Sequence, residues 1–512
     1  MAESSKSLRT VPDEFLKDKE NEDLGQGIRI TRPTGGGFVQ YLRHPINATA
    51  QKDTTQPDSK IPGLWSTSVR PEFCCIYRVP DRLRKVNPEA YTPQMLLIGP
   101  LQHSKKAEAI KHYKTDLRYL NYMNMEIHKK KCLEGINANI YGDERVKECK
   151  KIIERDEKFI RDSYAESTIW IDTEDFVETI LQDSFFILLF FIQMGSTIRF
   201  FSIRIKLNFR KKEDIFFNQT RLVNATAIFE DLILLENQLP YALLEKLFET
   251  LFSSVISKET FRDVTLKAFG FEGKIKEEVS FQHFTDLFRC VRVSTLSLTE
   301  EQISRAVTEP RKSRKIMYNA EKLDSAGVDF VNVDEENDLS LVITFKDGIL
   351  QMPCFTVEDN TERVMRNLMA LEQCHYPQTA YVCDYISFLG FLINSEQDVD
   401  LLVQKGIVKD WLGHQGSVAE MVNKLCLGLL DFGSHHYSDI IENLNKHYDN
   451  RLNRSVGTLR RVYFTDLWTG TATVAAVVLL VLTLIQTVAS ILQVIMQNDN
   501  KSPPPPAPSR GL

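Results

Sequence analysis

The sequence has no basic excess. Its 63 Lys and Arg stand against 69 Asp and Glu, a formal net charge of −6 over 512 residues. Proteins that bind nucleic acid through its phosphates concentrate positive charge, so no nucleic acid partner is expected. No CxxC pair occurs, and the nine scattered cysteines are odd in number. This argues against a disulfide framework and for a reducing compartment, with Cys serving as a small buried hydrophobe. The N-terminal stretch MAESSKSLRTVPDEFLKDKE lacks an apolar core, so no secretory signal peptide is read. Walker A, GxGxxG, GxSxG and HExxH patterns are all missing. No catalytic residue, cofactor or metal is therefore assigned. The densest Cys/His group is Cys374, His375, Cys383 and Asp384, and its spacing is not that of a zinc site.

Charge is also absent from Leu467 to Asn498. A helix rises about 1.5 Å per residue, so roughly 20 apolar residues cross a hydrocarbon core of about 30 Å. The stretch predicts one transmembrane helix over 469–496, which makes a lipid bilayer the first expected partner. Lys446, Arg451, Arg454, Arg460 and Arg461 precede it, and Tyr463, Phe464 and Trp468 sit where an interface would lie. Arg460, Arg461, Tyr463 and Trp468 are read as the membrane-interface residues. The basic flank places the large domain in the cytosol. Five Asn-x-Ser/Thr triplets, at Asn47, Asn218, Asn224, Asn453 and Asn500, argue the other way and are given less weight. Thr483, Gln486, Thr487, Ser490, Gln493 and Gln497 recur at gaps of three, one, three, three and four. They share a helix face and predict a protein partner or self-association in the membrane. The alternative is that Ser and Thr bond their own backbone.

Before the span the pattern is mainly helical. Residues 1–70 are rich in Gly, Pro, Ser and Thr and read as a disordered extension, with order beginning near Phe73. From Lys105 to Glu166, Ala107, Ile110, Tyr113, Leu117, Leu120 and Tyr122 recur near helical spacing, then Val146, Cys149, Ile152, Ile153, Phe159 and Ile160 after a break at Gly135–Gly142. Lys129-Lys130-Lys131 reads as a solvated helix face. Phe185–Met194 is strongly apolar, but its uncharged window is short for a span, which favours a buried core helix. Pro240 starts a new helix, and Glu236-Asn237-Gln238 before it satisfies buried backbone where two helices meet. Val328–Val333, Leu339–Phe345 and Ile349–Val357 are β-prone around the turn signal Asp347-Gly348, and predict a small antiparallel meander. The mostly helical domain runs over 71–448, a basic juxtamembrane segment over 449–468 and a Pro-rich tail over 497–512. The expected fold class is mainly α with that meander and one C-terminal transmembrane helix.

Several segments together resemble the plant family called "domain of unknown function 247". They are Ile76-Tyr77-Arg78-Val79-Pro80; Asn87, Ala90-Tyr91 and Pro93; Ile98-Gly99-Pro100 with His103; and Lys114 to Leu120. Leu234 to Pro240 follows, then Ala320, Leu323 and Ala326-Gly327-Val328 to Phe330. Thr361, Arg366-Asn367-Leu368, Ala370, Glu372-Gln373-Cys374 and Asp398-Val399 to Gly406-Ile407 complete the likeness. Two departures stand out. Leu101-Gln102-His103 keeps one of the family's two His, and Leu181-Gln182-Asp183-Ser184-Phe185 replaces a common LDGCF. The resemblance implies a plant single-pass membrane protein of unknown biochemical activity. A recognition or scaffold role without catalysis is the leading expectation. The alternatives are a pollen-expressed self-incompatibility determinant and an uncharacterised membrane-bound enzyme. A deep pocket converging on Glu236, Asn237, Glu372 and Gln373 would favour the enzyme, and a broad exposed apolar patch would favour binding.

Overall fold

A computed structural model describes residues 61–65, 72–139, 143–195, 221–252, 259–308, 315–333, 339–430, 436–451, 455 and 467–499. The first helices are α1 (Asp81–Arg84), α2 (His103–His112), α3 (Leu117–Asn139), α4 (Asp143–Asp162) and α5 (Thr173–Gly195). Helices α6 (Arg221–Leu232), α7 (Tyr241–Phe252), α8 (Phe261–Ala268), α9 (Phe284–Ser294), α10 (Glu300–Thr308) and α11 (Ala320–Ser325) follow. After four strands come α12 (Thr361–His375), α13 (Tyr381–Leu392), α14 (Glu396–Gln404), α15 (Gln415–Leu425), α16 (Ser438–Asp449) and the long α17 (Leu467–Asp499). The mainly helical expectation holds.

Helix α5 is the axis of the first half of the core, with α3, α4, α7 and α8 packed around it. Its apolar run from Phe185 to Ile192 is buried all round, as a helix enclosed on every side requires. Phe191 lies among aromatic neighbours, with ring centroids 4.9 Å from Phe284 and 5.3 Å from Phe269. The segment is thus a core helix of the body. In the second half, α12 holds the centre, against α9, α13 and α15. Thr361, Val364, Leu368, Leu371 and Glu372 are buried there with most of the rest of the helix.

The β region differs from a simple meander. Strands β2 (Thr344–Lys346) and β3 (Ile349–Met352) form the expected antiparallel hairpin, with Asp347 and Gly348 at φ 52° and 81°. Positive φ at both turn positions matches the twist of a two-residue hairpin. Strand β1 (Asp329–Asn332) instead joins the far edge of β3 in parallel, so the sheet is mixed, in the order β1-β3-β2. The β-prone run 349–357 also breaks at Pro353, which has no N–H for a ladder. Its second half, β4 (Phe355–Val357), leaves to pair in parallel with β5 (Val408–Asp410).

Three further readings change. Residues 61–65 are exposed but hydrogen-bonded to the body, where Ser167 N–H donates to Leu64 O at 2.7 Å and Gly63 N–H to Glu166 Oε1 at 3.0 Å, so ordered chain precedes Phe73. The rest of the expected 1–70 extension, apart from 61–65, lies outside the described residues, as do most of 449–468 and the tail beyond Asp499. On α2 and α3 the periodic apolar residues Ile110, Tyr113, Leu117 and Leu120 face water, while Ala109 and Tyr122 face the core. Lys129 is the reverse case. Lys130 and Lys131 are solvated, but Lys129 is fully buried, because its position in the turn of α3 follows Tyr122 and Met125 inward.

Candidate functional site

The turn Leu234–Pro240 between α6 and α7 is where separate chain segments meet. A turn inside a core leaves peptide groups without helical partners, and each must find one. Three consecutive side chains bond both the end of α6 and the peptide groups of other segments. Glu236 Oε1 accepts the Val79 N–H at 2.7 Å. Asn237 Oδ1 accepts the Ile98 N–H at 2.7 Å, and its Nδ2 donates to Leu96 O and Asp231 O, both at 2.9 Å. Gln238 Nε2 donates to Leu232 O and Leu234 O, and its Oε1 accepts the Phe284 N–H at 3.0 Å. From α12, Asn367 Oδ1 accepts the Leu235 N–H at 3.0 Å while its Nδ2 donates to Ala90 O at 2.9 Å. The motif-like segments around residues 79, 98, 236 and 367 are therefore one connected hub.

Charge is buried on two sides of this hub. Asp183, in the middle of α5, accepts the Gly99 N–H at 2.8 Å and pairs with Lys106 at 3.0 Å and Lys129 at 2.7 Å. Burial opposes its ionisation, yet Lys106 and Lys129 hold the carboxyl below its ordinary range. Lys129 also donates to Leu97 O and pairs with Glu126. Gly99 sits at φ 77°, and a Cβ there would lie 2.7 Å from Gln238 O. Only glycine lets the Ile98–Pro100 segment approach this closely. Asp231 accepts three successive N–H groups, from Gln94, Met95 and Leu96, with Arg363 3.6 Å away. Burial outweighs them and pushes its pKa up to about 6.

The outer side of the hub is wetter. Glu236 meets the guanidinium of Arg84, with Arg78 at 3.6 Å, and Arg78 also pairs with Glu166. Tyr77 OH lies 2.9 Å from His375 Nδ1 and 3.2 Å from Cys74 O. Deeper in, His283 Nδ1 accepts the Asp286 N–H, so its Nε2 is the donor to Cys75 O at 3.0 Å. Burial lowers that imidazole to about 4, which makes it a neutral structural link. Glu372 pairs with Arg289 at 3.0 Å and accepts the N–H groups of Val382 and Cys383 at the start of α13. Gln373 Oε1 accepts the Leu430 N–H at 3.0 Å. All four groups proposed to converge on a pocket are thus engaged by protein partners. A cleft of about 470 Å³ opens elsewhere, lined by Glu321, Asp324, Glu396 and Asp400 of α11 and α14.

A family model described as a plant protein of unknown function, DUF247, matches residues 76–482. The chain belongs to the DUF247 family. It is similar to the UPF0481 protein At3g47200 of Arabidopsis thaliana, 26% identical over 477 residues, which cover 87% of this chain and 93% of the relative. It is also similar to the putative UPF0481 protein At3g02645 of Arabidopsis thaliana, 30% identical over 164 residues, 32% of this chain and 31% of the relative. No solved structure matches it.

Both departures from the usual DUF247 pattern lie in the hub. Gln102, one of the positions after Gly99-Pro100, donates from Nε2 to Glu236 O at 2.9 Å. Asp183 is the central buried carboxylate. Sequence reading passed over Asp183, Asp231 and Lys129 as site residues. The available signal was an acid in the middle of α5, just before its apolar run, which has to be partnered to be buried.

Arg460, Arg461 and Tyr463 lie outside the described residues, and Trp468 is the second residue of α17. Thr483, Gln486, Thr487, Ser490 and Gln493 lie on α17 with exposed side chains, inside an arc of about 120° at 100° per residue. Thr483 and Thr487 donate to Leu479 O at 2.7 Å and Thr483 O at 2.8 Å. Those two hydroxyls are satisfied within the helix, and Gln486, Ser490 and Gln493 are the other polar side chains of the stripe.

Proposed function

We propose that this DUF247 protein is a membrane-anchored recognition or scaffold protein that works without catalysis. The observation that carries the reading is α17. Its stretch Thr471–Met496 is 26 residues long, apolar, and none of its most apolar window is buried in the body. At 1.5 Å per residue it is about 39 Å long, enough to cross a bilayer with some tilt. Left in water, such a helix would expose large apolar side chains on every face, which lipid removes. The cationic residues before it favour a cytosolic body.

Recognition rather than catalysis is supported by how the hub spends its polar groups. Glu236, Asn237, Glu372 and Gln373 hold backbone and each other's partners in place, as a rigid platform requires. The stripe from Gln486 to Gln493 supports a second role for the helix as a contact with another transmembrane segment.

The test is alkaline extraction of membranes from tissue that makes the protein. The full chain should stay with the membrane pellet, and a chain ending before Leu467 should move to the supernatant. Extraction of the full chain by alkali would overturn the anchor. Proximity labelling from the tagged body should then give a partner set that changes on the same truncation.

A further inference from the structure

The corner between α2 and α3 carries apolar surface that the body does not use. Ile110 is 62% exposed and Leu117 is 73% exposed. Tyr113 and Leu120 stand beside them, half in water. Ile127 continues the row along α3. At 100° per residue, Leu117, Leu120 and Ile127 fall within an arc of about 80°, opposite the buried Tyr122, Met125 and Lys129. Contiguous exposed apolar side chains of this size mark a contact surface.

The charge around the corner selects the contact. Six cations and two acids fall from Ile110 to Lys131, in a chain that is acidic overall; Lys129 is buried on Asp183 and Arg118 pairs with Glu89, so four cations face water. Lys111 and Lys114 are exposed beside Ile110 and Leu117, and Lys130 and Lys131 are exposed farther along α3. Lys114 Nζ stays 5.7 Å from the Tyr113 ring centroid. Asp116 accepts the Arg118 N–H at 2.8 Å, and Glu108 accepts the Tyr119 hydroxyl at 3.4 Å.

We propose that the α2–α3 corner is a second membrane contact, seated on a leaflet of anionic lipid. Leu117, Ile110 and Leu120 enter the boundary between headgroups and acyl chains, Tyr113 lies at headgroup level, and Lys111 and Lys114 meet lipid phosphates and carboxylates. The proposal rests on the anchor reading above. Residues 450–466 separate α16 from α17, a tether of at most about 60 Å when extended, so the end of α16 stays within that reach of the bilayer. One apolar–basic patch alone binds lipid weakly and reversibly, and the tether raises its effective concentration at the surface.

The experiment uses the full chain with Leu117 replaced by the photo-crosslinker p-benzoylphenylalanine. It is inserted in vesicles of phosphatidylcholine alone, or with about one third phosphatidylserine. The expected result is a lipid adduct at position 117, several-fold stronger with phosphatidylserine. Lys111→Gln with Lys114→Gln should lower that yield by up to about 25-fold, from about five-fold for each lysine near an anionic surface. A chain retained through an alkaline wash but giving no lipid adduct, or only an adduct to a second copy, overturns the corner contact. A chain lost in the wash overturns the anchor reading, and the corner with it.

Discussion

Asp183 and Lys129 lie 2.7 Å apart, and neither side chain has any exposed surface. The two residues come from different helices, and Lys106 and the Gly99 N–H converge on the same carboxylate. The consequences of removing either partner are therefore unequal. Asp183→Ala removes the acceptor shared by Lys106, Lys129 and the Gly99 N–H, leaving the lysines Glu126 and Leu97 O, and should cost about 3–5 kcal/mol of stability. Lys129→Met leaves Asp183 still paired with Lys106, and should cost roughly 1–3 kcal/mol. Denaturant midpoints of the two variants measure the difference. Equal losses would mean that Lys106 does not compensate.

Gly99 should be the least replaceable glycine of the hub. In Gly99→Ala the new Cβ meets Gln238 O at 2.7 Å and Tyr164 Oη at 3.2 Å, in a backbone at positive φ. Gly406 has a similar φ of 71° but open space around it. Gly406→Ala should cost about 1 kcal/mol and Gly99→Ala several times more. Thermal unfolding of both variants checks the ratio.

Asp231 gives the body a pH dependence of defined sign. Burial raises its pKa from 3.8 to about 6 on folding. The folded state then binds the proton more tightly than the unfolded chain, so stability from this group is complete below about pH 4. It is lost as pH rises through about 6, by about 3 kcal/mol in total. A stability profile between pH 4 and 7 should show this limb, and Asp231→Asn should flatten it. An unchanged slope in the variant would assign the limb to other groups.

How much of this was legible in the sequence depends on the range of the interaction. Helix periods and the break at Pro240 are local, and α6, the turn and α7 follow them. The role of Glu236-Asn237-Gln238 was also readable, since a polar triplet before a helix-starting proline has backbone to satisfy. The partners of those side chains were not. Val79, Ile98 and Phe284 are chosen by tertiary packing. Strand β5 is three residues long and carries no pattern of its own. Lys129 was misread because a Lys-Lys-Lys run looks solvated, and only the phase of α3 turns one of the three inward. Ile110, Leu117 and Leu120 were the opposite error of phase, apolar residues on a face that water covers.

The polar face of α17 predicts an association that the aqueous body does not need. Gln486→Leu with Ser490→Leu should weaken helix–helix association in a membrane reporter assay by about 1–2 kcal/mol. Thr487→Val should change it little, because that hydroxyl already bonds Thr483 O. Equal signal from the wild type and the Gln486/Ser490 variant would leave the span as an anchor alone.

The reach of Asn367 sets an order of events during synthesis. Its side chain ties Ala90 to Leu235 from a helix that emerges more than two hundred and seventy residues after Ala90. Until α12 leaves the ribosome, the peptide groups of the 234–240 turn have no complete set of partners, and the first half of the body waits as an unfinished intermediate. Helix α17 follows α12 in the chain. The body is thus able to close before α17 is made, and chains truncated within α12 should be prone to aggregation.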